Sequence, residues 1–532
     1  MAAVNFLNPQ NPTSPFSTES YHPMLQESIQ LFLSQIQSGI SDFSHFNLMF
    51  SRLIQTMPSP PIEIIWFYSA VNFHTHKKLI AQKNLASQDD NLGRILAIKE
   101  LFHSLVSCSD PCNSSSLKKV AVLAPLLFEL YNFVLDLKVN VRFSLDKAIN
   151  VEICSLVERL VSYVSLCCCE GLDDHDDTMA FSPCFVGLVK VWTVQRRESS
   201  SGFEDDFKMF FPMVSSEARN GFLVGSRVGV LAGIVMCQTF LLNLSLNFGL
   251  EASQKLKEDV LNSSVNTITG FRSCYFFDTL LKMLLEVNLP VTSLLTVVDE
   301  VLLREALFDA IILVDYPFFN PGCGIRLCSH HLNSLASTWL FVADKAMHFV
   351  WRNGNRTKVI SYMKAFSKSL IHSQLLKWVC TQTFMVEDAN TTNMSTPAAF
   401  MEWLVQLTSH TSRGGFNDEF SMLVEKAMNY TSEMKTAHLY LDLDGNYDFC
   451  FDQKVGEEDG GGADGDLEMI DSTEGVKDGC NTNFTDIDTC RKRKGEKDEG
   501  GIRVKLLKYQ MHDSPIKNFS PFQNEIGLIR RS

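Results

Sequence analysis

The sequence of 532 residues lacks the short motifs that assign common reactions. It contains no Gly-x-x-x-x-Gly-Lys-Ser/Thr loop, no Gly-x-Gly-x-x-Gly turn after a strand, no Gly-x-Ser-x-Gly elbow and no His-Glu-x-x-His pair. The chain therefore lacks the signatures of P-loop hydrolases, dinucleotide-binding folds, serine hydrolases and zinc proteases. No pattern positively indicates a catalytic residue or a cofactor. The sequence therefore predicts that the chain is not an enzyme.

The first residues lack the features of a targeting segment. There is neither a basic stretch nor an apolar stretch of the kind found in signal peptides, and no arginine precedes Arg52, which argues against a transit peptide. The chain has fifteen cysteines, an odd number, and three of them are consecutive: Cys167, Cys168 and Cys169. Such a run does not form a regular disulfide framework. It indicates reduced thiols in the cytosol or nucleus.

Charge is unevenly distributed along the chain. The net charge of −14 argues against nonspecific nucleic-acid binding by the whole protein, so direct contact with nucleic acid is not indicated. Residues 451–490 contain twelve Asp or Glu and two Lys, whereas residues 491–532 contain eleven Lys or Arg and five Asp or Glu. We therefore predict an acidic, Gly-rich disordered linker over 441–490 and a basic tail over 491–532. The Pro- and Ser-rich residues 1–22 are also predicted to be disordered.

The remaining residues, 24–440, have the apolar periodicity of helices separated by short connectors rich in Pro, Gly, Asn or Ser. Gly39, for example, is predicted to end the first helix as its C′ residue. Single helices are predicted over 116–138, 329–352 and 356–383, and none is predicted between 195 and 217. No series of alternating strands is evident, so the predicted class is all-α. Two helices recur every 35 to 50 residues, as in HEAT or armadillo arrays, but no repeat consensus is visible. We predict an irregular α-solenoid of this kind or a large helical bundle.

The most apolar stretch is the uncharged run of residues 228–250, which we assign to a long helix over 217–250. Glycines recur at every fourth position, which predicts a bare ridge on one helix face. Because each glycine costs a helix about 1 kcal/mol relative to alanine, we expect the backbone of another element to pack closely against this ridge. The ridge consists of Gly221, Gly225, Gly229 and Gly233.

This stretch has two interpretations. Its length suits a membrane span, and its Gly-x-x-x-Gly spacing would permit helix dimerisation. Against a span, Gln238, Asn243 and Asn247 would lie inside hydrocarbon. The central helices of large helical proteins are also apolar on nearly all sides. We favour a buried core helix and keep a single span at 228–250 as the alternative.

The basic tail contains two kinds of regulatory signal. The consecutive cations Arg491, Lys492, Arg493 and Lys494 form the type of cluster that nuclear import receptors bind. Two Ser-Pro pairs follow, at Ser514 and Ser520, and the first has a lysine two residues beyond its proline, as proline-directed kinases prefer. Phosphorylation there would add about −1.5 to −2 charges per site to a basic segment. The partners predicted for the tail are an import receptor and such a kinase.

Four potential zinc ligands lie within nine residues: Cys323, Cys328, His330 and His331. Their spacing matches no standard zinc finger, and adjacent histidines seldom share one ion without strain. A loop that runs into the start of a helix explains these residues more simply. No metal site is therefore predicted from the sequence.

Together, these features predict a non-enzymatic nuclear scaffold or adaptor subunit of a multiprotein complex, with the cytoplasm as a second location. Helical subunits of chromatin and DNA-repair assemblies, including accessory subunits of SMC-type complexes, have this outline, which is an analogy of architecture only. The alternative from a different class is a membrane-anchored helical protein. An enzyme would need a cleft with converging ionisable groups, for which Cys323, His330 and His331 are the best candidates.

Overall fold

The structure is a computed structural model of the chain. It describes residues 21–40, 42–83, 90–109, 115–139, 147–169, 183–196, 202–225, 227–248, 254–291, 293–316, 319, 329–383, 394–410 and 417–441.

The described residues fold into α-helices and contain no strand, so the predicted all-α class is confirmed. The helices are α1 (His22–Gln37), α2 (Ser44–Thr56), α3 (Ile62–Lys83), α4 (Asp90–Ser109), α5 (Ser116–Ala121), α6 (Ala124–Val139), α7 (Lys147–Cys169), α8 (Phe185–Thr193), α9 (Phe203–Phe210), α10 (Ser216–Gly225), α11 (Val228–Asn247), α12 (Gln254–Phe271), α13 (Cys274–Leu285), α14 (Val297–Leu313), α15 (Ser329–Arg352), α16 (Arg356–Lys368), α17 (Leu370–Thr383), α18 (Pro397–His410) and α19 (Asp418–Leu441). A short 3₁₀ turn, Val194–Arg196, extends α8.

The long helix expected over 217–250 is two helices. Helix α10 ends at Gly225, and α11 begins at Val228 after Arg227, whose backbone is extended (φ −98°, ψ 145°). The four glycines therefore do not form one continuous ridge, since two belong to α10 and two to α11. Glycine is favoured where helices end, so the regular four-residue spacing does not reveal this break.

Two other stretches expected as single helices are also divided. Residues 116–138 separate into α5 and α6 because Pro125, in the first turn of α6, cannot donate a backbone hydrogen bond. The break leaves the Val122 carbonyl to accept a hydrogen bond from the buried Trp66 indole at 2.9 Å. Residues 356–383 separate at Ser369, whose hydroxyl accepts from the His372 amide at 3.0 Å and caps α17. Helix α9 was not predicted at all.

Helix α11 lies at the centre of the core. It packs against α5, α6, α7, α12 and α13. Of the 18-residue stretch with the highest hydropathy in α11, 89% is buried. This helix and the segment Ser116–Lys138 are the two within the described residues that are long and apolar enough to cross a membrane by length and composition. Both are mostly buried by other helices. Burial on all sides explains why α11 is apolar all round.

Several contacts join helices that are far apart in chain order. Helix α1 packs against α8, α5 packs against α11, and α7 packs against α12. In a regular repeat array each unit contacts only its neighbours. The packing around α11 therefore departs from a regular solenoid, which agrees with the absence of a visible repeat consensus.

Candidate protein-interaction surface

The sites predicted in the tail lie outside the described residues. This applies to the import cluster of Arg491, Lys492, Arg493 and Lys494, and to the phosphorylation sites Ser514 and Ser520. These assignments stay predictions.

Two of the four predicted glycines make a close helix–helix contact. A Cβ atom built on Gly233 would lie 2.5 Å from the backbone oxygen of Tyr275, and one built on Gly229 would lie 2.6 Å from the Tyr275 ring. Both distances are shorter than real Cβ contacts, so neither position accepts a side chain without movement. Helix α13 thus begins directly on the glycine face of α11. Gly221 and Gly225 lie in α10, and the structure does not describe their surroundings.

The two histidines considered as zinc ligands point to different partners. His330 Nε2 lies 3.1 Å from Glu419 Oε1, whereas His331 Nδ1 lies 3.8 Å from Cys274 Sγ at the start of α13. Cys323 and Cys328 are outside the described residues. Within the described ranges, no three His, Cys, Asp or Glu side chains come together as a possible metal site.

The two most exposed large apolar side chains among the described residues, Val287 and Val297, lie at the junction of α13 and α14 together with two further exposed valines. The four are Val287 (84% exposed), Val297 (80%), Val298 (68%) and Val301 (39%), here called the valine surface. Val287 is in the turn that follows α13, and the other three are in the first turns of α14. Single exposed valines are ordinary, so what distinguishes these four is that all of them belong to the turn after α13 or to the first turns of α14.

The turn that carries Val287 is held by a buried arginine of α14. Arg304 donates to the carbonyl oxygens of Glu286 (2.9 Å) and Val287 (3.0 Å) and to the carboxylate of Glu300 (3.2 Å). The same Glu300 carboxylate accepts from the Leu289 amide at 2.6 Å. Glu300 and Arg304 are one helical turn apart in α14. Both side chains therefore reach the turn that follows α13 from the same face of α14.

A second cation and an acidic side chain extend this network to two more helices. Lys345 of α15 donates to the carbonyl oxygens of Leu285 and Glu286, the latter at 2.8 Å. The Glu286 carboxylate accepts from the amide and hydroxyl of Ser216 at 2.8 and 2.7 Å, and so caps α10. Helices α10, α13, α14 and α15 thus meet at the turn that carries Val287.

The electrostatics of this network follow from burial and from the helix dipole. The carbonyl end of α13 is its negative pole and favours the two cations placed there. Burial, reinforced by the nearby Arg304 charge, lowers the pKa of Lys345 to about 8. Burial also lowers the pKa of Arg304, although Glu300 opposes the change. Both cations donate to backbone carbonyl oxygens at the end of α13.

Comparison with known proteins adds no family to these observations. No family model, no curated protein and no solved structure matches the chain.

The valine surface was not predicted from the sequence, although a signal for it exists. Helix α14 has one buried apolar row, Leu303, Leu307 and Ile311, and further apolar residues on its other sides. Val297 and Val298 add apolar area at an end that also carries Asp299 and the N-cap Thr296. Polar capping residues are typical of a helix start that is exposed to solvent. Valines beside such a cap are therefore expected to be exposed as well.

Proposed function

We propose that the chain is a non-enzymatic helical scaffold or adaptor subunit that binds a partner protein through the valine surface. The observation that supports this function is the exposure of four valines at the junction of α13 and α14, where Arg304 and Lys345 fix the turn that carries Val287. A fixed turn loses little conformational entropy when a partner binds, and valine has few rotamers to lose. The surface is therefore organised for binding before the partner arrives.

The size of the valine surface favours a short partner segment over a second copy of the chain. The exposed parts of the four side chains amount to roughly 400 Å², near the size at which apolar patches mark interaction sites. A standard interface between folded proteins needs about 800 Å² from each partner. An apolar helix or extended segment of another protein matches the smaller area.

The test replaces Val297 and Val298 with aspartate in the full-length chain. Both lie in the first turn of α14, where acidic residues are favoured, so the variant is expected to fold. Val151→Asp, an exposed valine of α7, is the matched control. Proteins that co-purify with the wild-type chain are quantified by mass spectrometry, and light scattering measures the oligomeric state.

We expect at least about a tenfold loss of a defined set of partners in the double variant, since each 1.4 kcal/mol changes affinity tenfold. The control should retain them. Equal recovery from all three proteins would contradict the proposal. A wild-type dimer that the double variant converts to a monomer would assign the valine surface to self-association instead.

We also propose that the protein acts in the nucleus, as a subunit of a chromatin or DNA-repair assembly, where proline-directed phosphorylation of Ser514 and Ser520 regulates the tail. The basic cluster that begins at Arg491 supports nuclear import, and the all-helical architecture supports the analogy with such assemblies. Imaging of a tagged full-length chain beside a variant with alanine at 491–494 tests the location. Nuclear signal that persists in the variant would refute the assigned import signal.

The alternative of a membrane anchor at 228–250 rests on the length and apolar character of α11. The burial of α11 by α5, α6, α7, α12 and α13 supports a core helix. Alkaline carbonate extraction separates the two proposals. Release of the full-length protein into the supernatant is expected for a core helix, whereas retention in the membrane pellet would favour the span.

A further inference from the structure

A long stretch of the helical region carries positive charge without any carboxylate side chain. Residues 345–383 contain seven Lys or Arg and no Asp or Glu, whereas the whole chain has a net charge of −14. The stretch comprises the end of α15 and all of α16 and α17. Its positive charge is a local property, so the expectation drawn from the net charge does not apply to this part of the surface.

The packing of α16 determines which of these cations face outward. One side of the helix is buried and consists of Val359, Tyr362 and Phe366. Lys358, one turn before Tyr362, donates to the carboxylates of Glu305 and Asp309 of α14, both at 2.6 Å. These two acidic side chains of α14 are thus paired at the inner side of α16.

The exposed side of α16 is lined by cations. Arg356, Lys364 and Lys368 are exposed and separated by multiples of four residues, which places them along one side of the helix. Arg352, the last residue of α15, is also exposed and precedes α16 by a three-residue turn. Within the described residues, none of the four pairs with an Asp or Glu side chain. These four residues are here called the basic face.

The basic face is under electrostatic repulsion in the free protein. Lys364 and Lys368 are four residues apart, the spacing at which like charges destabilise a helix. The remaining exposed residues of α16 are uncharged and do not offset this charge: Thr357, Ile360, Ser361 and Ser367. A ligand with closely spaced negative charges would relieve the repulsion, so the face is complementary to a polyanion.

A nucleic-acid duplex fits this face better than other polyanions do. Arg356 and Lys368 are about 18 Å apart along the helix axis, which matches about five base pairs of a duplex. Proteins that bind single strands stack the bases on aromatic rings, and α16 exposes no aromatic side chain. Protein partners bury large anchor residues, whereas Ile360, 52% exposed, is the one large apolar side chain exposed on α16.

We propose that the basic face binds the phosphate backbone of double-stranded DNA without reading its sequence. Each of the four cations would contact one phosphate group, and Arg356 is held for this by its guanidinium, which lies 5.2 Å from the centroid of the Trp351 ring. The choice of DNA over duplex RNA rests on the proposed nuclear function. The valine surface has no part in this binding.

The test measures binding of the full-length protein to a labelled DNA duplex of arbitrary sequence by fluorescence anisotropy, over a range of NaCl concentrations. Four phosphate contacts predict a slope of about −3.6 for the logarithm of the association constant against the logarithm of the salt concentration. Lys364→Ala with Lys368→Ala removes two contacts. This variant should bind at least about tenfold more weakly at about 0.1 M salt, with a slope of about −1.8. Alanine favours helix, so the variant is expected to fold.

Three further variants serve as controls. Arg159→Ala with Lys208→Ala removes two exposed cations of α7 and α9, changes the net charge equally and should bind DNA like the wild type. Lys364→Arg with Lys368→Arg keeps both charges and should retain affinity and slope. The variant with aspartate at Val297 and Val298 should also retain DNA binding, so this proposal and that of the valine surface fail independently.

Absence of DNA binding by the wild type would overturn the proposal, and so would equal affinities and slopes for the wild type and the double alanine variant. If that variant does not fold, Arg356→Ala should reduce the slope by about 0.9, and an unchanged slope would contradict the proposal. Polyglutamate that displaces the duplex better than unlabelled DNA at equal charge would assign the basic face to an acidic protein segment instead. Stronger competition by duplex RNA would overturn the choice of DNA.

Discussion

Acidification is expected to destabilise this protein through His74 of α3. The ring is 3% exposed, packs beside Phe32 and Trp192, and has its Nδ1 atom 2.9 Å from the Gln195 amide. Burial lowers the pKa of His74 from 6.5 to about 4, and the positive charge of nearby Lys77 contributes. His74 is therefore neutral in the folded protein at pH values where it is already protonated in the unfolded chain.

The sign and size of the effect follow from proton linkage. Between pH 6.5 and pH 4 the unfolded chain binds the proton more tightly, so the free energy of unfolding falls as the pH falls. The difference between the two pKa values corresponds to about 3 kcal/mol when complete, at and below pH 4. Between pH 7.5 and pH 5.0 we expect His74 alone to account for a loss of about 2 kcal/mol.

The measurement is urea unfolding at several pH values for the wild type and for His74→Gln. Glutamine keeps an acceptor for the Gln195 amide but does not titrate. The pKa of His372 is also lowered by burial, so the variant retains part of the pH dependence. The difference between the pH dependences of the free energy of unfolding of the two proteins is the contribution of His74. His103→Gln, at an exposed position of α4, is the control and should have the wild-type pH dependence.

Equal losses of stability in the wild type and in His74→Gln between pH 7.5 and pH 5.0 would refute the role of His74. That result would mean that the His74 ring is hydrated or readily protonated in the folded protein. If only the wild type loses stability and the loss is complete above pH 6, the pKa of His74 is lowered by less than its burial implies.

Two further predictions concern stability. Gly233→Ala places a methyl group 2.5 Å from a backbone oxygen of α13 and should lower the free energy of unfolding by about 1–3 kcal/mol. Gly202→Ala, where nothing lies within 4 Å, should change it by less than about 0.5 kcal/mol in the same urea titration, and equal effects would contradict the close packing. Arg304→Met leaves the Glu300 carboxylate buried without its cation and should cost about 3–5 kcal/mol. Lys282→Ala breaks the more exposed pair with Asp278 and should cost under about 1 kcal/mol by thermal unfolding. A similar loss in both variants would refute the role of burial.

Local features of the fold were predictable where the chain itself contains the signal. Gly39, predicted as the residue that ends the first helix, has φ of +77°, a conformation that favours glycine, and this prediction is confirmed. The predicted bounds of α15, 329–352, agree with those of the structure because polar residues and a glycine follow its last apolar turn. Periodicity identifies a helix wherever one face is apolar and one is polar.

The breaks and the long-range contacts were not predictable by the same means. Pro125 was a visible signal for the start of a new helix, but the apolar run around it concealed the break. The contact between Cys274 and His331 depends on how α13 and α15 pack, which no local pattern encodes. The same holds for Arg304, which has its partners in a turn 17 and 18 residues earlier.

The position of α11 has a consequence for how the chain can be divided. This helix contacts α5, α6 and α7, which precede it, as well as α12 and α13, which follow it. A fragment that ends before residue 228 would leave the apolar faces of α5 and α7 open to water, and a fragment that begins there would expose α11 itself. Each half thus completes the interior of the other. Unfolding should proceed as one cooperative transition through this region, without the stepwise loss of terminal units that repeat arrays undergo.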